Sequence, residues 1–215
     1  MSGDATGATD LALQRAIVAL APPGLLIGHR VIASGDELAL LPAEATAMES
    51  MAVDRRRASG AARQVARALM ARLGYVNLPI LKSPSGAPIW PVGLNGSLAH
   101  DDRVAVAAVG LQRDVVAVGI DVEPAVPLPA DMLELIATPN ELRTIADDPL
   151  GGKLLFAAKE AVYKAVHPLD GVFLDFHDIA VDLVARTATT RTGRVLSLRT
   201  CISSHVVVLA SVRIE

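Results

Sequence analysis

The chain has 215 residues, 52% of them hydrophobic, 20% charged and only 3% aromatic, with a formal net charge of −3. This is enough apolar material for the core of one domain or two small halves, built mainly from Ala, Val and Leu, and it excludes a wholly disordered chain. The acidic balance and the scarcity of aromatic rings speak against a protein that coats DNA or stacks on nucleic-acid bases.

The opening residues, MSGDATGATD, carry acid and no Lys or Arg, so no secretory leader is expected there. Residues 10–21, DLALQRAIVALA, predict a helix stopped by Pro22-Pro23-Gly24. The apolar runs LLIGHRVIA and ELALL flank Ser34-Gly35-Asp36 and predict a hairpin. From Pro42 the composition turns to Ala, Met, Glu and Arg, predicting one or two helices over 43–73, with Gly60 as a separator and Gly74 as the stop. NLPILKSPSGAPIWPVGLNGSLAH reads as a long functional loop. VAVAAV (104–109) and VVAVGIDVE (115–123) predict strands, and Pro124, Pro127 and Pro129 then break the chain. Thr138-Pro139-Asn140-Glu141 is a helix start with Thr as cap, Pro at the first position and Glu at the third. A helix follows over 152–165, and HDIAVDLVA, RVLSLRT and HVVVLASVRI alternate like an antiparallel sheet. A cut near Gly110 leaves strands and a long helix on each side, giving halves 1–110 and 111–215. No stretch reaches 18 uninterrupted apolar residues, so a soluble, cytoplasmic protein without membrane contact is expected.

Asp121 and Glu123 end an apolar run two residues apart. In a strand they project from one face, about 7 Å apart at the backbone, while Ile120 and Val122 face the other way. Both can converge on one hard divalent cation, magnesium or manganese, or can simply be a solvated strand end. On the helix over 152–165, Leu154, Ala158, Ala161, Val162 and Ala165 form one stripe, and Lys153, Glu160 and Lys164 share a separate face. Glu160 is then either a third metal carboxylate beside a phosphate-binding ammonium or half of an exposed i,i+4 ion pair.

Residues 55–72 contain six arginines and no acid. On one helix Arg56, Arg63 and Arg67 lie within about 40° of each other, with Ala62, Val65, Leu69 and Leu73 roughly opposite. The face is a solvated surface or an anion site, and a small phosphorylated ligand suits it better than nucleic acid. No histidines make a close metal-ligand pair; His100, ending Gly96-Ser97-Leu98-Ala99-His100, either donates to a phosphate or is a satisfied loop residue. Ser97 lacks a nucleophile elbow, and the lone Cys201 excludes an internal disulfide and cysteine-rich zinc sites.

The set of motifs resembles the 4'-phosphopantetheinyl transferase superfamily, of the siderophore-synthase, enterobactin-like type. The resemblance is carried by Gly119-Ile120-Asp121-Val122-Glu123, by Phe156-Ala157-Ala158-Lys159-Glu160-Ala161-Val162-Tyr163-Lys164, and by Ala87-Pro88-Ile89-Trp90-Pro91 followed by Gly96-Ser97-Leu98-Ala99-His100. The basic run DRRRASGAARQVARALMARLG and Leu169-Asp170-Gly171 with Leu174-Asp175-Phe176 extend it over about 55–176.

That resemblance implies an α+β fold. Its two similar halves are related by a pseudo-twofold, each a small antiparallel sheet packed on a long helix, with the coenzyme A cleft between them. It implies Asp121, Glu123 and Glu160 as magnesium carboxylates, with manganese as a substitute. Lys164 and His100 would act on the pyrophosphate, Arg56 and Arg63 near the 3'-phosphate, and Ser97 and Lys159 in support of the cofactor. The implied reaction moves 4'-phosphopantetheine from coenzyme A to a serine of an apo acyl or peptidyl carrier protein, releasing adenosine 3',5'-bisphosphate, in a chain that encloses its own site as a monomer. A non-catalytic coenzyme A binder and a magnesium-dependent phosphodiesterase or nuclease remain alternatives on residues alone.

Overall fold

Helix α1 (Leu11–Val18) begins where Asp10 accepts the Leu13 N–H at 2.9 Å, and it buries Leu13 and Ile17 completely. The computed structural model describes residues 10–212; the opening segment read against a leader and the end of the last predicted strand lie outside the described residues. Strand β1 (Leu25–Val31) follows. The hairpin expected after it does not form. Asp36 accepts the Ala33 N–H at 2.9 Å and the Arg30 guanidinium at 2.7 Å, and Gly35 takes φ 92°. These local bonds wind Asp36–Ala39 into a short 3-10 helix in place of a strand.

Two helices fill the next stretch, α2 (Pro42–Ala47) and α3 (Val53–Arg72), but Gly60 lies inside α3 instead of separating them. A Cβ at Gly60 would collide with the Asp36 carbonyl, so the glycine is what lets the 3-10 helix rest against α3. The Pro- and Gly-rich segment contains a small hairpin, β2 (Leu81–Lys82) with β3 (Pro88–Ile89), and ends in strand β4 (Leu94–His100), which its polar Asn95, Gly96 and Ser97 disguised. Strand β5 (Val104–Leu111) completes a first antiparallel sheet of order β1-β5-β4.

The second half starts with β6 (Val118–Pro124), then α4 (Ala130–Ile136) and α5 (Pro139–Ile145). Thr138 caps α5 as its sequence predicts, exchanging bonds with Glu141 at both ends of the first turn. Helix α6 (Gly151–Asp170) is longer than the predicted segment. Strands β7 (Ile179–Asp182), β8 (Thr187–Thr190), β9 (Val195–Ile202) and β10 (His205–Val212) join β6 in an antiparallel sheet of order β6-β10-β9-β8-β7. The architecture is α+β.

Each sheet lies on one long helix. Val65, Leu69 and Met70 of α3 pack on Ala107 and Val109 of β5, and Leu155, Ala158 and Val162 of α6 pack on Val206 and Val208 of β10. The opposite faces share a third core, where Val106 and Ala108 meet Ile120, Val122, Val207 and Leu209 beneath Leu13 and Ile17 of α1. Strand β5 is thus buried on both faces, which explains its uninterrupted apolar run. Among the described residues no helix is long and apolar enough to cross a membrane.

Candidate active site

Edge strands β4 and β6 lie side by side at the junction of the two sheets. The Ile120 N–H donates to Ser97 Oγ at 3.0 Å, and Asn95 Nδ2 donates to the Val115 and Val116 carbonyls at 2.8 and 2.9 Å. Ser97, read as a cofactor-binding position, is therefore a buried stitch between the strands. Above this junction opens a cavity of about 500 Å³, with Asn95–Leu98 and Val116–Val118 as its floor, Glu160, Tyr163 and Lys164 of α6 on one wall, and Lys82 and Trp90 on the other.

The alternation of β6 places its residues as the sequence predicts. Ile120 and Val122 are 0% and 1% exposed in the shared core, and Asp121 and Glu123 face α6. Gly119 makes that approach possible, because a Cβ there would overlap the Ala161 carbonyl. Lys164 Nζ consequently reaches Asp121 Oδ1 at 2.5 Å, and Lys153 Nζ reaches Glu123 Oε2 at 3.2 Å. The exposed Glu160–Lys164 pair is not what forms; Lys164 turns to Asp121 instead.

The carboxylates are under-neutralised. Burial pushes Asp121 above the ordinary carboxylate range against the pull of Lys164, and the charge of Glu160 pushes the same way. Burial and the neighbouring Asp121 charge likewise raise Glu123, against Lys153. Asp121 Oδ2 is buried and has no hydrogen-bond partner. A buried, orphaned carboxylate oxygen flanked by two further carboxylates suits a hard cation. The side chains as they stand do not close on one: among the described residues no three of His, Cys, Asp or Glu converge as a ready metal site.

A second hollow, of about 230 Å³, adjoins the first through Lys82, Pro88 and Leu98 and is lined by Arg55, Arg63 and His100. His100 stands at its open edge, its pKa pushed below the ordinary histidine value by desolvation and by the charges of Lys164 and Arg55. Arg63 is almost wholly buried, donating from Nε to the Ile80 carbonyl at 2.9 Å, and burial pushes its pKa down to about 10. Arg67 donates to both oxygens of the fully buried Glu44, which also accepts the Leu41 and Ile80 N–H groups. The predicted arginine face is thus largely an internal clamp around Glu44. Arg56 lines neither hollow, and its Nε is buried without a partner.

Lys159 requires a correction. It is 0% exposed, and its ammonium donates to the Ile136 carbonyl, Glu141 Oε2 and the Phe176 carbonyl at 2.8, 2.9 and 2.8 Å. Three donors are matched by three acceptors, so it is a strut between α6, α5 and the chain before β7 rather than a support for phosphates. Sequence reasoning did not single out Arg55 or Lys82 as lining residues, whose only signal was a cation near motif residues, and it missed the buried Glu44 and the pairing of Glu141 with Lys159.

The family described as "4'-phosphopantetheinyl transferase N-terminal domain" matches residues 43–110, and the "4'-phosphopantetheinyl transferase superfamily" matches residues 117–211. The chain is similar to 4'-phosphopantetheinyl transferase Svp of Streptomyces mobaraensis, 39% identical over 185 residues that make up 81% of this chain and 75% of that protein. It is 38% identical to 4'-phosphopantetheinyl transferase PptT of Mycobacterium tuberculosis, over 73% of this chain and 70% of that one. Enterobactin synthase component D of Escherichia coli is 34% identical over 43% of this chain and 47% of its own. The first match contains β4 and the second β6, and between them they take in the carboxylates and most of the lining of both hollows. The chain therefore belongs to the 4'-phosphopantetheinyl transferase superfamily, and its reaction is the transfer of 4'-phosphopantetheine from coenzyme A to a serine of an apo carrier protein.

Proposed function

We propose that the transfer takes place over the β4–β6 junction, with magnesium held by Asp121, Glu123 and Glu160. The observation that carries this is the buried, unpartnered Oδ2 of Asp121 beside two more carboxylates, one of them raised with it. Magnesium, or manganese in its place, would supply positive charge to the pyrophosphate of coenzyme A at this point.

Every other role falls to the chain. Lys164, on the cavity wall, donates to the pyrophosphate, and His100 adds a donor from the edge of the second hollow. Arg55 and Lys82 line that hollow and take the 3'-phosphate, with Arg63, held by Glu44 and the Ile80 carbonyl, as its buried wall; Arg55 replaces Arg56 in this reading because Arg56 lines neither hollow. The serine hydroxyl oxygen of the carrier forms a bond to the β-phosphorus while the bond from that phosphorus to the bridging oxygen breaks. Phosphopantetheine stays on the serine, and adenosine 3',5'-bisphosphate leaves with the bridging oxygen. Glu160, the one of the three carboxylates that lines the larger cavity, accepts the serine proton.

We further take the halves as pseudo-twofold related, since each repeats one plan and α3 and α6 are both 20 residues long. The carrier docks on the Pro-rich segment before β4 and the chain after β6, where Ile89, Val92, Val126 and Leu135 are exposed. Intact-mass spectrometry of an apo carrier domain incubated with the protein, coenzyme A and magnesium tests the reading. The carrier gains the mass of one phosphopantetheinyl group, and the gain disappears with EDTA or with Asp121→Ala. Transfer that survives both would remove the metal site from the mechanism.

A further inference from the structure

The β4–β5 turn that carries His100 is held from the other half of the molecule. Asp101, the residue after His100, accepts the Arg103 and Val104 N–H groups on Oδ1, both at 2.7 Å, and so closes the turn on itself. Its other oxygen meets no hydrogen-bond geometry but lies in close contact with Nε2 of His205, 3.0 Å away at the start of β10, and both side chains are shielded from solvent, 9% and 5% exposed. His205 Nδ1 is 3.0 Å from Ser204 Oγ, and that hydroxyl lies 2.6 Å from Oδ2 of Asp10, the cap of α1. A carboxylate only accepts, so the Ser204 hydrogen points to Asp10.

The chain Asp101–His205–Ser204–Asp10 thus starts and ends in the N-terminal half and passes through the β9–β10 turn of the C-terminal half. Strand β10 pairs with β6, with His205 opposite Pro124 and Val206 opposite Glu123. The end of β10 that reaches Asp101 therefore backs the strand that presents Asp121 and Glu123. His29, also buried in this region, has neither ring nitrogen paired and contributes no bond to the turn.

We propose that His205 is a positioning residue: through Asp101 it fixes the β4–β5 turn, and with it His100, at a set place relative to Asp121, Glu123 and Lys164 across the cleft. This rests on the reading of His100 as a donor to coenzyme A. Without the imidazole the turn keeps its own hydrogen bonds to Arg103 and Val104 but loses its tie to the carboxylate-bearing sheet. His100 then spends less time where the phosphate lies.

A double-mutant cycle on coenzyme A binding, followed calorimetrically, tests this. It uses His100→Ala, His205→Ala and the pair, with thermal melts to verify that each variant is folded. His100→Ala weakens binding by about tenfold, and His205→Ala weakens it severalfold. In the His100→Ala background the second substitution adds no further loss, because its effect travels through the missing ring. His205→Gln, which keeps a polar side chain against Asp101, recovers part of the affinity. If His205→Ala does not fold, Asp101→Asn and His205→Gln run the same cycle. An equal loss with and without His100, or a lower melting temperature with unchanged affinity, overturns the positioning role. Unchanged affinity in His100→Ala overturns the reading of His100 beneath it, and this proposal with it.

Discussion

Lys164 holds one oxygen of the buried Asp121 at 2.5 Å and leaves the other without a hydrogen-bond partner. One ammonium therefore half-satisfies a carboxylate that also feels Glu160, and the net effect of the surroundings is to disfavour its charge. A site arranged this way is destabilising until something positive arrives.

Asp121→Asn should accordingly raise stability while removing activity. Because its pKa in the fold lies above the unfolded value, the folded protein binds the extra proton between the two, so stability falls as pH rises through that window and the charged form is unfavourable at neutral pH. Removing the charge lifts the melting temperature, by about 2–4 °C for each kcal/mol recovered in a chain of this size. Transfer to a carrier drops by about 100-fold or more, as for loss of a group that stabilises developing charge. Magnesium raises the melting temperature of the wild type and not of the variant. Calorimetry with and without magnesium checks both halves.

Lys159→Met should cost stability and spare catalysis. The substitution leaves Glu141 buried without its ion pair, a loss of about 3–5 kcal/mol, while the turnover of the folded fraction is unchanged. Glu141 itself, pushed up by burial, is held net below the ordinary range by the Thr138 and Val181 N–H groups and by Lys159. Its stabilising effect is complete above the unfolded value, about 4.3, and is lost as pH falls through the lower folded one. Glu141→Gln should flatten the acid limb of a stability-versus-pH curve. An acid limb identical to wild type would show that this carboxylate is not a source of it.

Arg55 and Arg56 are adjacent, but only Arg55 lines the second hollow. Arg55→Ala should weaken coenzyme A binding by about 10–100-fold, the range for a hydrogen bond to a charged group, and leave binding of 3'-dephospho-coenzyme A nearly unchanged. Arg56→Ala should alter neither. Titration of both ligands against both variants separates the two arginines.

Gly119→Ala adds one methyl group where the Ala161 carbonyl already stands. The strand must retreat from α6, at about 1–3 kcal/mol for overpacking, and Asp121 moves with it away from Lys164. Thermal melts should show the loss. Carrier modification should fall by more than the unfolded fraction explains, because the carboxylate is displaced even in the molecules that fold.

Several features were determined by the sequence alone because they depend on neighbours along the chain. The alternation of Ile120 and Val122 with Asp121 and Glu123, the Thr138 cap, and the apolar stripe of α6 all follow from strand and helix periods, and the structure carries them unchanged. The helical wheel also put Lys153, Glu160 and Lys164 on one face of α6. Motif order carried the family and its reaction. Tertiary structure alone decided which cations remain free for a ligand. Glu44 gathers Arg63 and Arg67 from 19 and 23 positions away, and Glu141 draws Lys159 inward across 18. A charged side chain far along the chain commits a cation as firmly as a near one once burial removes water from between them, and no local period records that choice. For the same reason ELALL failed as a strand: the carboxylate of Asp36, engaging Arg30 and the Ala33 N–H, outweighed an apolar pattern too short to compete.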